Sequence, residues 1–338
     1  METLYVVEPG AYLKKDGESL KIVKDKTIIG TIPAQGLQKI LLSGYVSLTG
    51  SVIDFCIKNR IETVFITPTG KFRGRLMVDE HRHVELREAQ YINLKDESFC
   101  KQTMKILVKG KIENMVSYLL ERGTYNKDES LKNMAIRMKA LTNLLSQEVS
   151  KEAIRGIEGA GTRFYFSVFN QLIKNPDFIF KNRSKRPPLD PINALLSFVY
   201  TLLTNEVLSA IKICGLDPYR GSLHEVSYGR PSLACDLVEE YRCVIGDRLV
   251  LNLINRKMVK PDDFIIRNNA PQNYIDEKEM KEKRPVEMKP YLCRTLLASY
   301  ESMMNHGTTS YRNMIREQVR KFADYLIKPE KSYTTVSI

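Results

Sequence analysis

The chain has 338 residues, 43% hydrophobic and 27% charged, so it is globular by composition, with apolar material for a large core and room for two domains. A formal net charge of +12 and an isoelectric point near 9.3 favour a polyanionic partner, nucleic acid or an anionic surface. Six scattered cysteines without a CxxC pair argue against a zinc knuckle or a dense disulfide framework, and METLYVVEPG has an acidic second residue and too short an apolar run for a signal peptide.

The first part of the chain has the punctuation of a β domain. LYVVEPG, AYLKKDGESLKIV and TIIGTIP are short runs rich in β-branched and aromatic residues, separated by glycine and proline. Asp16-Gly17 predicts a hairpin, because its turn needs positive φ. Ile40 to Leu48 predicts a further strand, Ser51 to Lys58 a short helix, and TVFITPTGKFRGRLMV a strand, a turn and a strand. Near residues 84 to 94 the hydrophobic period changes from two to three or four. Met104, Leu107, Ile112, Met115, Tyr118 and Leu119 then follow at helical spacing. The pattern predicts an α+β chain: a small N-terminal β-sandwich domain over 1–86 and a larger all-α domain over 87–338.

In AIRGIEGAGTRFYF, Glu158 stands between Gly156 and Gly159. Glycines inside a helical pattern weaken it, which suggests close approach of a backbone or ligand. The basic run Lys181, Arg183, Lys185, Arg186 follows; it is either a solvated loop or a phosphate-binding segment. Next comes a strongly written helix: Asp190 as cap, Pro191 in the first turn, a body from Asn193 to Ile213, and Gly215 as stop. Its most apolar run, Ala194 to Leu203, is interrupted by Ser197 and Thr201 and falls short of the ~18 residues of a membrane helix, so a soluble, cytoplasmic protein with no membrane association is expected.

GLDPYRGSLHEVSYGRPSLACDLVEEYR places His224 in a loop ahead of a helix opened near Pro231. Asp236 and Glu239, nearly one turn apart, project from one face, with Glu240 beside them. Half-buried carboxylates beside an imidazole repel one another unless something cationic sits between them. Two or three carboxylates with one imidazole form a mostly hard donor set, suited to Mn²⁺ or Mg²⁺. Removing one of these acids relieves carboxylate repulsion, so such variants are expected to be no less stable than the parent without metal. Beyond Arg256, KPDDFIIRNNAPQNYIDEKEMKEKRP is expected to be an exposed excursion with little fixed packing, and the final KSYTTVSI to fray.

IEGAGTRFYF, RPPLDPINALLSFVYTLL and GLDPYRGSLHEVSYGRPSLACDLVEEYR, in this order behind a β domain, together resemble the CRISPR-associated Cas1 endonuclease family, the integrases of spacer acquisition. The resemblance covers essentially the whole chain. It implies that Glu158, His224 and Glu239 hold a divalent ion, Mn²⁺ or Mg²⁺, with Asp236 as a fourth, adjacent acid among the catalytic residues. It implies metal-dependent cleavage of DNA and insertion of foreign fragments into a CRISPR array by transesterification. It also implies a homodimer and a small Cas2 partner. The DNA would be double-stranded, with or without single-stranded ends, and Lys181, Arg183, Lys185, Arg186, Arg163 and Arg230 are the candidate contacts. Two readings from other classes stay open on the residues alone: a non-catalytic DNA-binding scaffold acting through charge, and a metal phosphohydrolase of a small phosphoester.

Overall fold

A computed structural model of the protein describes residues 3–67, 72–76, 83–184, 188–266, 286–305 and 310–337. The chain forms two compact units, one of Met1–Glu80, Ser184–Thr201 and Val259–Ser299, the other of His81–Arg183, Leu202–Met258 and Tyr300–Ile338. The change from strands to long helices falls between Leu76 and Val84. The compact units do not follow a single cut at 86/87, because two later segments return to the strand-bearing unit.

That unit carries two four-stranded sheets. One takes β1 (Thr3–Val6), β5 (Lys39–Ser43), β7 (Glu62–Ile66) and β8 (Phe72–Leu76) in that spatial order; β1, β5 and β7 run parallel, and β8 is antiparallel to β7. The other takes β4 (Thr27–Pro33), β3 (Ser19–Lys24), β2 (Tyr12–Asp16) and the short β6 (Ser47–Leu48). The expected hairpin joins β2 to β3, with Asp16 opposite Ser19 and Gly17 at φ +55°. The single strand expected over Ile40 to Leu48 is two, split at Gly44, whose φ of +81° turns the chain out of the first sheet. Leu4, Val6, Leu13, Leu20, Ile40 and Leu42 join both sheets in one core, with Val52 and Cys56 from α1 (Gly50–Lys58). Every residue of β5 is buried, as in a central parallel strand covered on both faces.

The stretch expected to be an unpacked excursion starts in regular structure, and its first residues pair with the strand that follows it. Phe264–Ile266 (β9) pairs antiparallel with Val286–Met288 (β10), and Lys289 N–H donates to Asp263 O at 2.9 Å. Residues 267–285 lie outside the described residues.

The helical unit is built on α2 (Val84–Lys95), α3 (Glu97–Asn126), α4 (Glu129–Leu144) and α5 (Lys151–Ser167). Asp96, Asp128 and Ser150 cap the last three by accepting backbone N–H bonds in the first turn. Helix α6 (Pro191–Cys214) has the predicted cap, Asp190 accepting from Asn193 N–H at 2.9 Å, and the predicted stop, Gly215 at φ +90°. It is long and apolar enough to cross a membrane, contrary to the run-length reading, yet most of it is buried inside the protein, as in a core helix. The helix opened after Pro231 is broken into α7 (Ser232–Leu237), α8 (Glu239–Tyr241), a π-helical turn (Arg242–Asp247) and α9 (Arg248–Asn255). Helices α10 (Pro290–Met304) and α11 (Tyr311–Ile327) follow. The segment after them does not fray: Tyr333 is 3% exposed and hydrogen-bonded to Glu240.

Candidate functional site

Helix α3 carries Met104, Leu107, Lys111, Met115 and Tyr118 at spacings of three and four, and all five are buried. A lysine in such a stripe is tolerated only with partners. Its ammonium contacts Glu158 Oε1, from α5, and lies 2.7 Å from Glu239 Oε2, from α8. Thr162, one turn after Glu158, donates to the same oxygen at 3.1 Å. Glu239 Oε1 is held by Arg242 at 2.8 Å, three residues along its own helical path. The structure therefore gathers Glu158 and Glu239 around one cation that the sequence reading asked for without identifying.

The electrostatics follow from that arrangement. Burial alone would push the Glu239 carboxyl up, but Arg242 and Lys111, with a smaller contribution from His224, hold it down at about 2. Burial would strip the Lys111 ammonium of its proton; Glu239 and Glu158 more than offset this, and its pKa is raised. Removing either acid leaves the buried Lys111 short of a partner. This reverses the expectation that such variants are no less stable without metal.

Asp236 has a different task from Glu239, although the two were expected to share one face. It is fully buried, and both of its oxygens are engaged. Oδ2 accepts from Ser222 N–H at 2.6 Å, Leu223 N–H at 2.9 Å and the Ser222 hydroxyl at 3.3 Å. Oδ1 accepts from His224 N–H at 2.9 Å and faces His224 Nδ1 at 2.8 Å. A carboxylate on Nδ1 keeps the ring proton there and leaves the Nε2 lone pair for a ligand. Gly221 is required for this closure, because a Cβ would stand 2.5 Å from Asp236 Oδ2 and 2.8 Å from the Ser232 carbonyl carbon. The loop is fixed elsewhere by Gln90, which bonds Asp217 N–H, Asp217 O and Arg220 O, and by Arg155 Nε donating to Leu223 O at 3.0 Å.

Glu240 departs furthest from the sequence reading. About 100° around the helix from Glu239, it is fully buried toward the segment after α11 rather than standing with the other acids. Of the two reasons expected for Gly156 and Gly159, a packed backbone is not found among the described residues: a Cβ at either would meet nothing within 4 Å, so Glu158 is flanked by open space, as the approach of a ligand requires. Close packing falls instead to Gly161, whose Cβ would stand 3.0 Å from Ile112.

Of the candidate DNA contacts, Lys181, Arg163 and Arg230 are exposed and Arg183 is half-buried. Lys185 and Arg186 lie outside the described residues. Lys111, Arg242 and Arg155 escaped the sequence reading. The available signals were a lysine inside an apolar helical stripe and an arginine three residues after an acid.

Two carboxylates and an imidazole suit a hard divalent ion. Glu239 Oε2 is buried 2.7 Å from the Lys111 ammonium, so the place a cation would take is held by the lysine. Among the described residues no three His, Cys, Asp or Glu side chains converge at ligand distance, and Lys111 stands between the two glutamates.

The family model described as CRISPR associated protein Cas1 matches residues 4–283. The CRISPR-associated endonuclease Cas1 1 of Chlorobaculum tepidum is 36% identical over 307 residues, which cover 89% of this chain and 85% of that protein. A solved Cas1 protein from Thermotoga maritima superposes with a TM-score of 0.82 at 23% identity, covering 100% of both chains. A chain in a Cas6-RT-Cas1–Cas2 complex superposes with a TM-score of 0.83 at 21% identity, covering 99% of this chain and 36% of that one. At these identities the two structures speak for the fold, a strand-rich N-terminal region followed by a mostly helical one.

Proposed function

This chain belongs to the CRISPR-associated Cas1 family, and from that premise we propose that it is a divalent-metal-dependent DNA endonuclease and integrase that inserts foreign DNA fragments as new spacers into a CRISPR array. The observation that carries the reading is the gathering of Glu158 and Glu239 on one buried cation, next to a loop in which Asp236 orients His224. Glu158, Glu239 and His224 Nε2 are the residues that would hold Mn²⁺ or Mg²⁺. Asp236 acts through His224, since its own oxygens are engaged by the loop. When bound, the ion would supply a Lewis acid that polarises a phosphoryl oxygen and stabilises the charge developing at the attacking hydroxyl.

The reaction is an exchange of phosphodiester bonds. A fragment 3′-hydroxyl gives up its proton and bonds to phosphorus at a repeat boundary. The old 3′-oxygen leaves and takes a proton, so no covalent enzyme intermediate and no external energy source are required. The open space beside Gly156 and Gly159 gives a sugar–phosphate backbone access to Glu158. Lys181, Arg183, Arg163 and Arg230, with Lys185 and Arg186, would bind phosphates without reading bases. Tyr228, wholly exposed four residues after His224, would stack on an unpaired base of a frayed end. Action in the cytoplasm, homodimerisation and a Cas2 partner belong to the same proposal; the Cas6-RT-Cas1–Cas2 complex is an assembly in which a chain of this fold stands with Cas2.

The Lys111 ion pairs favour one alternative, a scaffold in which the lysine replaces the metal permanently and DNA is held by charge alone. A labelled fragment with a free 3′-hydroxyl, incubated with a supercoiled repeat-containing plasmid and the Cas2 partner, separates the two. The nuclease and integrase gives joined products with Mn²⁺ and none with EDTA. DNA binding indifferent to EDTA, with no strand products under either condition, would establish the scaffold.

A further inference from the structure

The segment after α11 holds the back of the candidate site. Tyr333 OH donates to Glu240 Oε1 at 2.5 Å, and Val336 N–H donates to Glu240 Oε2 at 2.9 Å. Asn114, on α3, donates both to Glu240 O at 3.1 Å and to Val336 O at 2.9 Å. Gln318, on α11, donates to Thr334 O at 2.5 Å and reaches Glu240 Oε2 at 3.4 Å. The Tyr333 ring stands edge-on to Phe322, with centroids 5.2 Å apart. Thr335 lies so close to Gly110 that a Cβ there would run into its side chain.

These contacts converge on the two pieces of backbone that present the site. Gly110 and Asn114 flank Lys111 on α3, and Glu240 follows Glu239. Glu239 stands on one helical path from Ser232 to Asn255, just where the α-helical ladder gives way to the π-helical turn of Arg242–Asp247, so its direction depends on how that turn is held. A buried carboxylate needs donors, and among the described residues, 333–336 supply two of the three donors to the Glu240 carboxylate.

We propose that Tyr333–Val336 is a strap that positions Glu239 against Lys111 and Glu158, so that the ion-holding centre is fully assembled only with the strap seated. Tyr333 and Asn114 are its positioning residues; neither touches the reacting atoms. The inference rests on the reading of Glu239 as an ion-holding residue, and it adds an element that the motifs around Glu158 and His224 do not contain.

The test uses the full chain, stripped of metal, beside three variants: one ending at Lys331, Tyr333→Phe and Gly110→Ala. Mn²⁺ affinity is measured by calorimetry, amide hydrogen exchange is followed over residues 238–247, and DNA joining is resolved into kcat and KM. With the chain ending at Lys331, Mn²⁺ affinity should fall about 10- to 100-fold, the range for lost support of a ligand. Exchange over 238–247 should accelerate, and kcat should fall with KM for DNA unchanged. Adding the peptide KSYTTVSI should restore all three. Gly110→Ala replaces glycine with the better helix former, so a loss of Mn²⁺ affinity there points to strap displacement rather than helix weakening. Tyr333→Phe should move the same readouts less far, and these two variants decide the matter if the shortened chain does not fold. Parent-like Mn²⁺ affinity and exchange over 238–247 in folded variants would overturn the proposal. A parent that binds no Mn²⁺ would instead defeat the functional reading, and the exchange measurement would still decide whether the strap orders the turn.

Discussion

Glu239 and Glu240 are adjacent and both buried, yet the two sides of their turn solve the cost of burying a carboxylate differently. On the side facing α3 and α5, Glu239 meets Lys111 and Arg242 and is held ionised, its carboxyl at about 2 despite burial. On the side facing residues 333–336, burial dominates. Tyr333, Val336 and Gln318, with a smaller contribution from the Lys321 charge, offset it only in part, and the Glu240 carboxyl rises to about 7. A cation stabilises the charge itself, whereas neutral donors stabilise it less than water does. The difference sorts the turn into a side built to hold charge and a side built to hold position.

The largest effect should come from removing the cation. Lys111→Met leaves two buried or half-buried carboxylates, of which Glu239 keeps Arg242, and should destabilise the metal-free protein by about 3–5 kcal/mol in denaturant unfolding. Added Mn²⁺ should restore much of that loss, because it supplies the missing charge. A loss that Mn²⁺ does not repair would make Lys111 a packing residue only.

Acidity should resolve the two sides by sign. The depressed Glu239 carboxyl gives the fold stability that is complete above its ordinary value of 4.5 and is lost as pH falls toward 2. The raised Glu240 carboxyl does the reverse: the fold keeps a proton that the unfolded chain releases near 4.5, so its contribution falls as pH rises from there to about 7. In chelator, Glu240→Gln should therefore gain stability relative to the parent across pH 4.5 to 7. A parallel pair of stability curves would contradict the contrast.

The smallest effect concerns the surface. DNA affinity should fall with salt at a log–log slope of about −0.9 per phosphate neutralised, and alanine at Lys181, Arg183, Lys185 and Arg186 should flatten it. An unchanged slope would return that run to a solvated loop.

Much of the architecture was legible because it depends on local rules. Asp16-Gly17 wrote its hairpin, and Asp190, Pro191 and Gly215 wrote the limits of α6. Glu158, His224, Asp236 and Glu239 were legible as chemistry only through three motifs occurring in one order. Their division of labour was not, because spacing along a helix says which residues are neighbours and not what each one faces. Asp236 turns to the 222–224 backbone and Glu239 to a lysine carried by α3. The segment after α11 was read as fraying because its sequence is short and polar. It is held because Glu240, Asn114 and Gln318, all remote in sequence, offer it partners.

The central claim is that Glu158, Glu239 and His224 hold one divalent ion in a place where Lys111 competes for the carboxylates. A calorimetric Mn²⁺ titration of the metal-stripped parent, Lys111→Met and His224→Ala tests it most directly. One unit charge about 4 Å away contributes roughly 4 kcal/mol at an effective dielectric constant of about 20. The account therefore predicts one ion per chain in the parent, binding more than about tenfold tighter in Lys111→Met, and binding lost or greatly weakened in His224→Ala. Equal affinities in all three proteins, or no binding in any of them, would contradict it.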